Sequence, residues 1–225
     1  MQSWGLESAF NTRRTHREPT KSGVIGMIAA SMGRKKDEPV EDLARLRFGV
    51  RVDQPGEIRR DYHTVKSMVK EKNAFVTNRY YIHDAAFLAG LESENRELLE
   101  KICESLQHPV FALYLGRRSC PPTDPLLLGI RELGLEDALR AEPWLAPEWR
   151  RKKLNNVLPL YIESDGTTRN EALQQDVPIS FDFRGREYGY RYVRYAGTVC
   201  ALPVGQTGDA GSSVQHDPMR ELRRM

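Results

Sequence analysis

Cations and aromatic rings interleave over one stretch of this sequence. Arg59-Arg60-Asp61-Tyr62-His63-Thr64-Val65-Lys66 opens it, Lys70 and Lys72 continue it, and Arg79-Tyr80-Tyr81-Ile82-His83 closes it. Cations neutralise phosphates and flat rings stack on bases, a combination suited to single-stranded RNA, whose bases are free to splay out. The plain alternative is a solvated hairpin whose tyrosines cover a sheet edge. A second candidate is Thr20-Lys21-Ser22-Gly23 at a helix start. Free amides, the positive helix end and a glycine that lets a backbone come close make a place for phosphate. The Gly-x4-Gly-Lys-Ser/Thr spacing of a P-loop is absent. An ordinary cap, with Gly23 and Gly26 in close packing, accounts for the same residues. The third candidate is Tyr114-Leu115-Gly116-Arg117-Arg118-Ser119-Cys120-Pro121-Pro122. Its adjacent arginines follow an apolar segment and can face a ligand at a sheet edge.

Other chemistries find less support. Cys120 has no base near it in sequence and reads as a packing residue. His16, His63, His83, His108 and His216 show no metal-ligand spacing, so neither a metal nor a cofactor is expected. His63, next to Tyr62 and near Lys66, has the makings of a metal-free acid/base set for RNA cleavage. Stacking or packing is the commoner use of such a histidine.

The elements that must position these residues follow from period and punctuation. An apolar helix is expected over 22–33, stopped by Gly33, then a short acidic helix capped by Asp37 with Pro39 in its first turn. Phe48, Val50 and Val52 alternate with Gly49, Arg51 and Asp53 as a half-buried strand. Residues 77–91 read as extended. Ser93 can cap a helix over 94–107, and Val110 to Leu115 reads as a buried strand. Residues 117–176 read as loops with short helical pieces, and Val177 to Cys200 as a hairpin turning at Arg184-Gly185-Arg186-Glu187. The order is that of a βαββαβ ferredoxin-like domain lacking its first strand. Without that strand the sheet would split and leave unpaired edges inside the domain.

Composition sets the outer bounds. The chain has 225 residues and 25.8 kDa, room for one large domain or a domain with an appendage. Its net charge is only +3, but 25 of its 34 basic residues are arginine, the residue of bidentate phosphate contacts. Charge runs in blocks: net +5 over residues 1–36, −3 over 37–57, +4 over 58–83 and −4 over 84–109. No apolar run is long enough to span a membrane, no signal peptide is visible, and the three scattered cysteines make no disulfide framework. A cytoplasmic protein is expected.

Met1-Gln2-Ser3-Trp4-Gly5, Pro19 to Gly33, Arg60 to Val65, and Tyr114 to Pro122 with Pro125-Leu126 and Gly129 resemble, in this order, the Cas-five family of the RAMP superfamily. A weaker likeness runs through Asp176, Pro178 and the 181–194 hairpin, so about residues 1–200 are covered. The resemblance implies an α+β fold: a ferredoxin-like, RNA-recognition-type domain over 1–116, with a β-hairpin thumb inserted at about 58–83. A small β-rich region with a hairpin over 117–202 follows, and 203–225 is expected to be a disordered tail. It implies a non-catalytic RNA-binding subunit of a type I-E CRISPR surveillance complex, Cascade, that grips the 5′ handle of the CRISPR RNA and caps the complex backbone. Backbone and large subunits would be partners, target DNA an indirect one, and membranes none. Lys21, Ser22, Gly23, Arg60, Tyr62, His63, Lys66, Arg79, Tyr80, Arg117, Arg118 and Ser119 become the candidate RNA contacts. The alternative is a metal-independent endoribonuclease, as in type I-C relatives, using Tyr62, His63 and Lys66. Family members carry a strand before the Met-Gln-Ser-Trp-Gly turn, so roughly 10–12 residues are expected upstream of Met1.

Overall fold

A computed structural model describes residues 1–5, 12–66, 74–123, 125–167 and 169–200, with the backbone alone described at Lys66, Ala74 and Phe75. Lys70, Lys72 and the expected tail at 203–225 lie outside the described residues. The fold is α+β. Its strands are β1 (Trp4–Gly5), β2 (Thr12–Arg13), β3 (Thr15–His16), β4 (Arg47–Gln54), β5 (Glu57–Lys66), β6 (Ala74–His83), β7 (Ala86–Glu92), β8 (Val157–Ser164), β9 (Glu171–Ser180) and β10 (Glu187–Cys200). Its helices are α1 (Lys21–Ser31), α2 (Glu41–Ala44), α3 (Arg96–Gln107), α4 (Leu135–Ala141) and α5 (Glu148–Arg151).

Alternation along β4 builds two packed layers around one sheet. Phe48 and Val50 join Val24, Ile25 and Ile28 of α1 and Ile102 of α3 in the main core. On the opposite face a Cβ at Gly49 would meet Leu139, and Leu88, Leu160 and Ile162 pack on Leu135 and Leu139 of α4. The sheet has the order β7-β4-β8-β10-β9. It therefore runs without a break across the expected 116/117 boundary. A separate three-stranded sheet, β2-β6-β5, carries the basic–aromatic hairpin, and β1 pairs with β3.

Several local expectations need correction. The acidic helix α2 starts at Glu41, with Val40 in the cap position and no side-chain cap, rather than at Asp37. Helix α3 is capped by Asn95, whose Oδ1 accepts from the Leu98 amide, while Ser93 accepts from Asn95. The loop-rich reading of 117–176 missed β8, a central strand, because Pro159 sits inside its apolar run and proline demotes a strand. The structure accommodates it opposite Thr198, where β10 changes register. Val110 to Leu115 forms no strand and is not buried as expected: Val110 is 65% exposed. No strand ladder is on offer there. The Val110 and Phe111 amides instead donate to Ser31 and Ala30 at the end of α1.

The second layer hangs on one buried arginine. Arg51 uses all five donors: two to the Asp53 carboxylate at 2.7 and 2.9 Å, and three to the carbonyls of Leu139, Glu142 and Pro143. It caps the end of α4 from inside the sheet. Asp53 also accepts from the Leu145 amide, and its own carbonyl takes the Trp144 indole N–H. Arg51→Met is expected to leave a buried carboxylate and helix-end carbonyls unpaired and to cost about 3–5 kcal/mol, read as a lower urea midpoint.

Candidate nucleic-acid interface

The helix start comes first in sequence and proves closed. The Lys21 amide donates to Asp176 at 2.8 Å, and its ammonium is held by both Glu163 oxygens at 2.9 Å. Lys21 is 2% exposed. Burial pulls its ammonium below the ordinary value, while the Glu163 hydrogen bond and charge push back. The Gly23 amide donates to the Thr20 hydroxyl, and Ser22 also turns to Thr20. Gly23 lies under Trp4, where a Cβ would come within 2.8 Å of the ring. The expectation of a phosphate seat at Lys21, Ser22 and Gly23 is thus corrected: the protein's own carboxylates and hydroxyl take the donors that a phosphate would need.

The hairpin β5–β6 sorts its residues by face. Cross-strand partners share a face, and neighbours along a strand do not. Arg60 lies opposite Tyr80, and Tyr62 opposite Asn78. These put Arg60, Tyr62 and Tyr80 together on one face, with Tyr62 62% exposed. Arg60 is exposed and has no acidic partner among the described residues. The other face carries Arg59, Asp61, His63, Arg79 and Tyr81, since Asp61 lies opposite Arg79 and Arg59 opposite Tyr81. There two of the charges are paired: Arg59 with Glu57 at 2.9 Å, and His63, whose Nε2 sits 2.5 Å from Asp61. Arg79 keeps a buried Nε without a partner among the described residues. The side chain of Lys66 lies outside the described residues.

The third segment braces the hairpin. Arg117 donates through Nη1 to the Tyr80 carbonyl at 3.1 Å and through Nη2 to the carbonyls of Arg13 and Arg14. Its guanidinium stacks 5.0 Å from the Tyr81 ring. Gly116, at φ +85°, lets this loop close on Ser3, whose carbonyl would lie 1.8 Å from any Cβ there. Ser119 sits 3.3 Å from the Tyr81 hydroxyl. Burial pushes the Cys120 thiol up, in keeping with packing. Of this segment's candidates, Arg118 and Ser119 are exposed, whereas Arg117 is a brace between β6 and the N-terminal segment.

Sequence reading missed Arg13. Strand β2 runs parallel to β6 with Arg13 beside Arg79, so it extends the hairpin's second face. The +5 charge of residues 1–36 was the available signal. Among the described residues no group of three His, Cys, Asp or Glu could hold a metal ion, and no helix is long and apolar enough to cross a membrane.

The family profile described as "CRISPR-associated protein (Cas_Cas5)" matches residues 1–194. The chain belongs to this family. "CRISPR system Cascade subunit CasD" of Escherichia coli (strain K12) is 34% identical over 148 residues, 57% of this chain and 66% of that protein, just under two thirds of its length. Among solved structures, a chain of a "CRISPR RNA-guided surveillance complex" superposes with a TM-score of 0.74 at 31% identity, covering 92% of this chain and 91% of that one. A "Crystal structure of Cas protein" gives 0.68 at 39% identity, with coverage of 88% and 90%.

Lys21→Met is expected to lower the unfolding free energy by about 3 kcal/mol, read as a lower urea midpoint, because it leaves the half-buried Glu163 carboxylate without its cation. RNA affinity of the folded protein is expected to stay unchanged. Reduced affinity at unchanged stability would restore Lys21 as a phosphate contact.

Proposed function

We propose that this Cas-five protein is a non-catalytic RNA-binding subunit of a type I-E CRISPR surveillance complex. It grips the 5′ handle of the CRISPR RNA and caps the complex backbone in antiviral defence, in the cytoplasm. Its partners are the CRISPR RNA, the backbone and large subunits, and, through the guide, target DNA. The observation that carries this reading is the hairpin face of Arg60, Tyr62 and Tyr80, where an arginine without an acidic partner among the described residues stands between an exposed ring and a half-buried one. An unneutralised cation attracts phosphate, and rings beside it take bases by stacking. The family and the relatives' names support the same assignment.

The nuclease alternative meets a geometric obstacle. Tyr62 and His63 are neighbours on one strand and so project to opposite faces, and His63 is engaged by Asp61. The two side chains do not converge on one phosphodiester, as paired acid and base must.

Tyr62→Ala is expected to weaken binding of repeat-derived RNA by about 1–3 kcal/mol, roughly 5–150-fold, as loss of one base–ring stack does. Arg60→Ala is expected to lower the slope of log affinity against log salt by about 0.7, the value for one single-strand phosphate contact. Titration over a salt series reads both. Wild-type protein is expected to leave the RNA intact, and the affinity to depend on the handle sequence. Equal affinity for scrambled RNA, or cleavage lost in His63→Ala, would contradict the reading.

A further inference from the structure

On the face of the main sheet that carries α1, a pocket of about 230 Å³ opens just ahead of that helix. Val50 of β4, Tyr161 of β8 and Tyr195 of β10 are cross-strand partners in one row of its floor. Val193 and its partner Ala172 on β9 form the next row. Glu18, two residues before the Thr20 cap, stands in the wall. The Tyr161 and Tyr195 rings lie 5.7 Å apart and are tilted by 51°. Tyr195 is 54% exposed, so the pocket is open to solvent.

The neighbouring buried cations are matched. Arg191, in the lining, gives two hydrogen bonds to Asp176, and Lys21 is held by Glu163. Glu18 is half-buried and has no ion-pair partner among the described residues. Burial pushes its carboxyl up, while Arg17, its exposed chain neighbour, pulls the other way without pairing with it. Burial and then the Glu18 charge push up the Tyr161 phenol, so the carboxylate and the ring feel each other. The pocket therefore holds one uncompensated negative charge beside two aromatic rings, over an apolar floor.

That combination selects a cation with an apolar stem. Ring faces attract a cation, and a planar guanidinium stacks on them while giving a carboxylate paired hydrogen bonds. Valine and alanine surfaces take the methylene stem behind such a head. An anion is repelled by Glu18, and a neutral guest leaves its charge unanswered. The volume is below the roughly 300–1,000 Å³ of pockets that enclose free ligands and suits a single side chain. We propose that the pocket seats the guanidinium of an arginine side chain from a neighbouring protein subunit, with Glu18 as its counter-charge and Tyr161 and Tyr195 against its head and stem. That a subunit supplies the arginine rests on the proposed place in a multisubunit complex; the cation chemistry stands on the pocket alone.

Two measurements decide the proposal. The first titrates the full protein, with labelled tyrosine rings, against Nα-acetylarginine amide and follows the rings by nuclear magnetic resonance. Saturable shifts are expected at Tyr161 and Tyr195. The citrulline counterpart, of the same shape without the charge, is expected to bind at least about tenfold more weakly, and Glu18→Gln to weaken the arginine probe by a similar factor. The thermal midpoint of Glu18→Gln is expected to stay level or rise, since the half-buried carboxylate has no partner to lose. Equal affinity for the two probes, or arginine binding that survives Glu18→Gln, overturns the proposal. The second measurement washes the assembled complex with rising salt. The Glu18→Gln subunit is expected to be released at lower salt than the wild type, whereas Glu94→Gln, at an exposed carboxylate elsewhere, is released with the wild type. Arginine binding by the free protein with undiminished retention of Glu18→Gln would assign the pocket to a free organic cation and overturn the proposal. Affinity for repeat-derived RNA is expected to be unchanged in Glu18→Gln, so failure of the RNA reading shows in Tyr62→Ala and leaves both results untouched.

Discussion

Three buried charges and one half-buried carboxylate hold the two halves of the chain together. Lys21 and Arg191 are the cations, Glu163 and Asp176 the anions. Lys21 reaches Glu163 on β8, its amide reaches Asp176 on β9, and Arg191 on β10 grips Asp176 through two bonds at 2.6 and 2.9 Å. Glu163 also accepts from the Phe48 amide on β4, and Arg191 stacks 5.1 Å from the Phe48 ring. Each anion has a cation and an amide, which is the condition for charge to be tolerable away from water. Removing either cation would leave its carboxylate with hydrogen-bond donors but no neutralising charge of its own. The start of α1 can lie in only one place on the sheet, and the chain just before it, residues 12–20, is placed with it.

That placement reaches the hairpin through backbone rather than side-chain complementarity. Thr12 and Arg13 extend the hairpin sheet as β2, and Thr15 and His16 turn back to pair with Gly5 and Trp4. Arg117 then bonds the carbonyls of Tyr80, Arg13 and Arg14 from a single guanidinium. Carbonyls make no demand on side-chain identity, so the base of the hairpin is held while its faces stay free to serve a ligand. The face of Arg60, Tyr62 and Tyr80 remains uncommitted, whereas on the opposite face Glu57 and Asp61 engage Arg59 and His63. An exposed ring that is already ordered loses little entropy on stacking, which favours a grip over a loose encounter.

The split between legible and hidden features follows sequence distance. Alternation at Phe48, Val50 and Val52, the helix before Gly33 and the basic–aromatic hairpin were readable because their causes lie within a few residues. Asn95 and Ser93 are both good caps, and only the geometry of the first turn selects Asn95. Pro159 hid β8 because the register change that admits it lies on another strand. Lys21 reads as a phosphate ligand until Glu163, 142 residues away, claims it. Arg117 likewise looked like a free cation, and only carbonyls brought from two other segments show it to be a brace. The likeness of Val110 to Leu115 to a strand was sound as local propensity, but a strand needs a neighbour to bond.

The central claim is that RNA lies on one face of the β5–β6 hairpin. Ultraviolet crosslinking of repeat-derived RNA to the full protein, with the crosslinked peptides sequenced by mass spectrometry, tests it directly. Adducts are expected at Tyr62 and Tyr80. Adducts confined to the start of α1 or to the second hairpin, β9–β10, with none on Tyr62 or Tyr80, would contradict it.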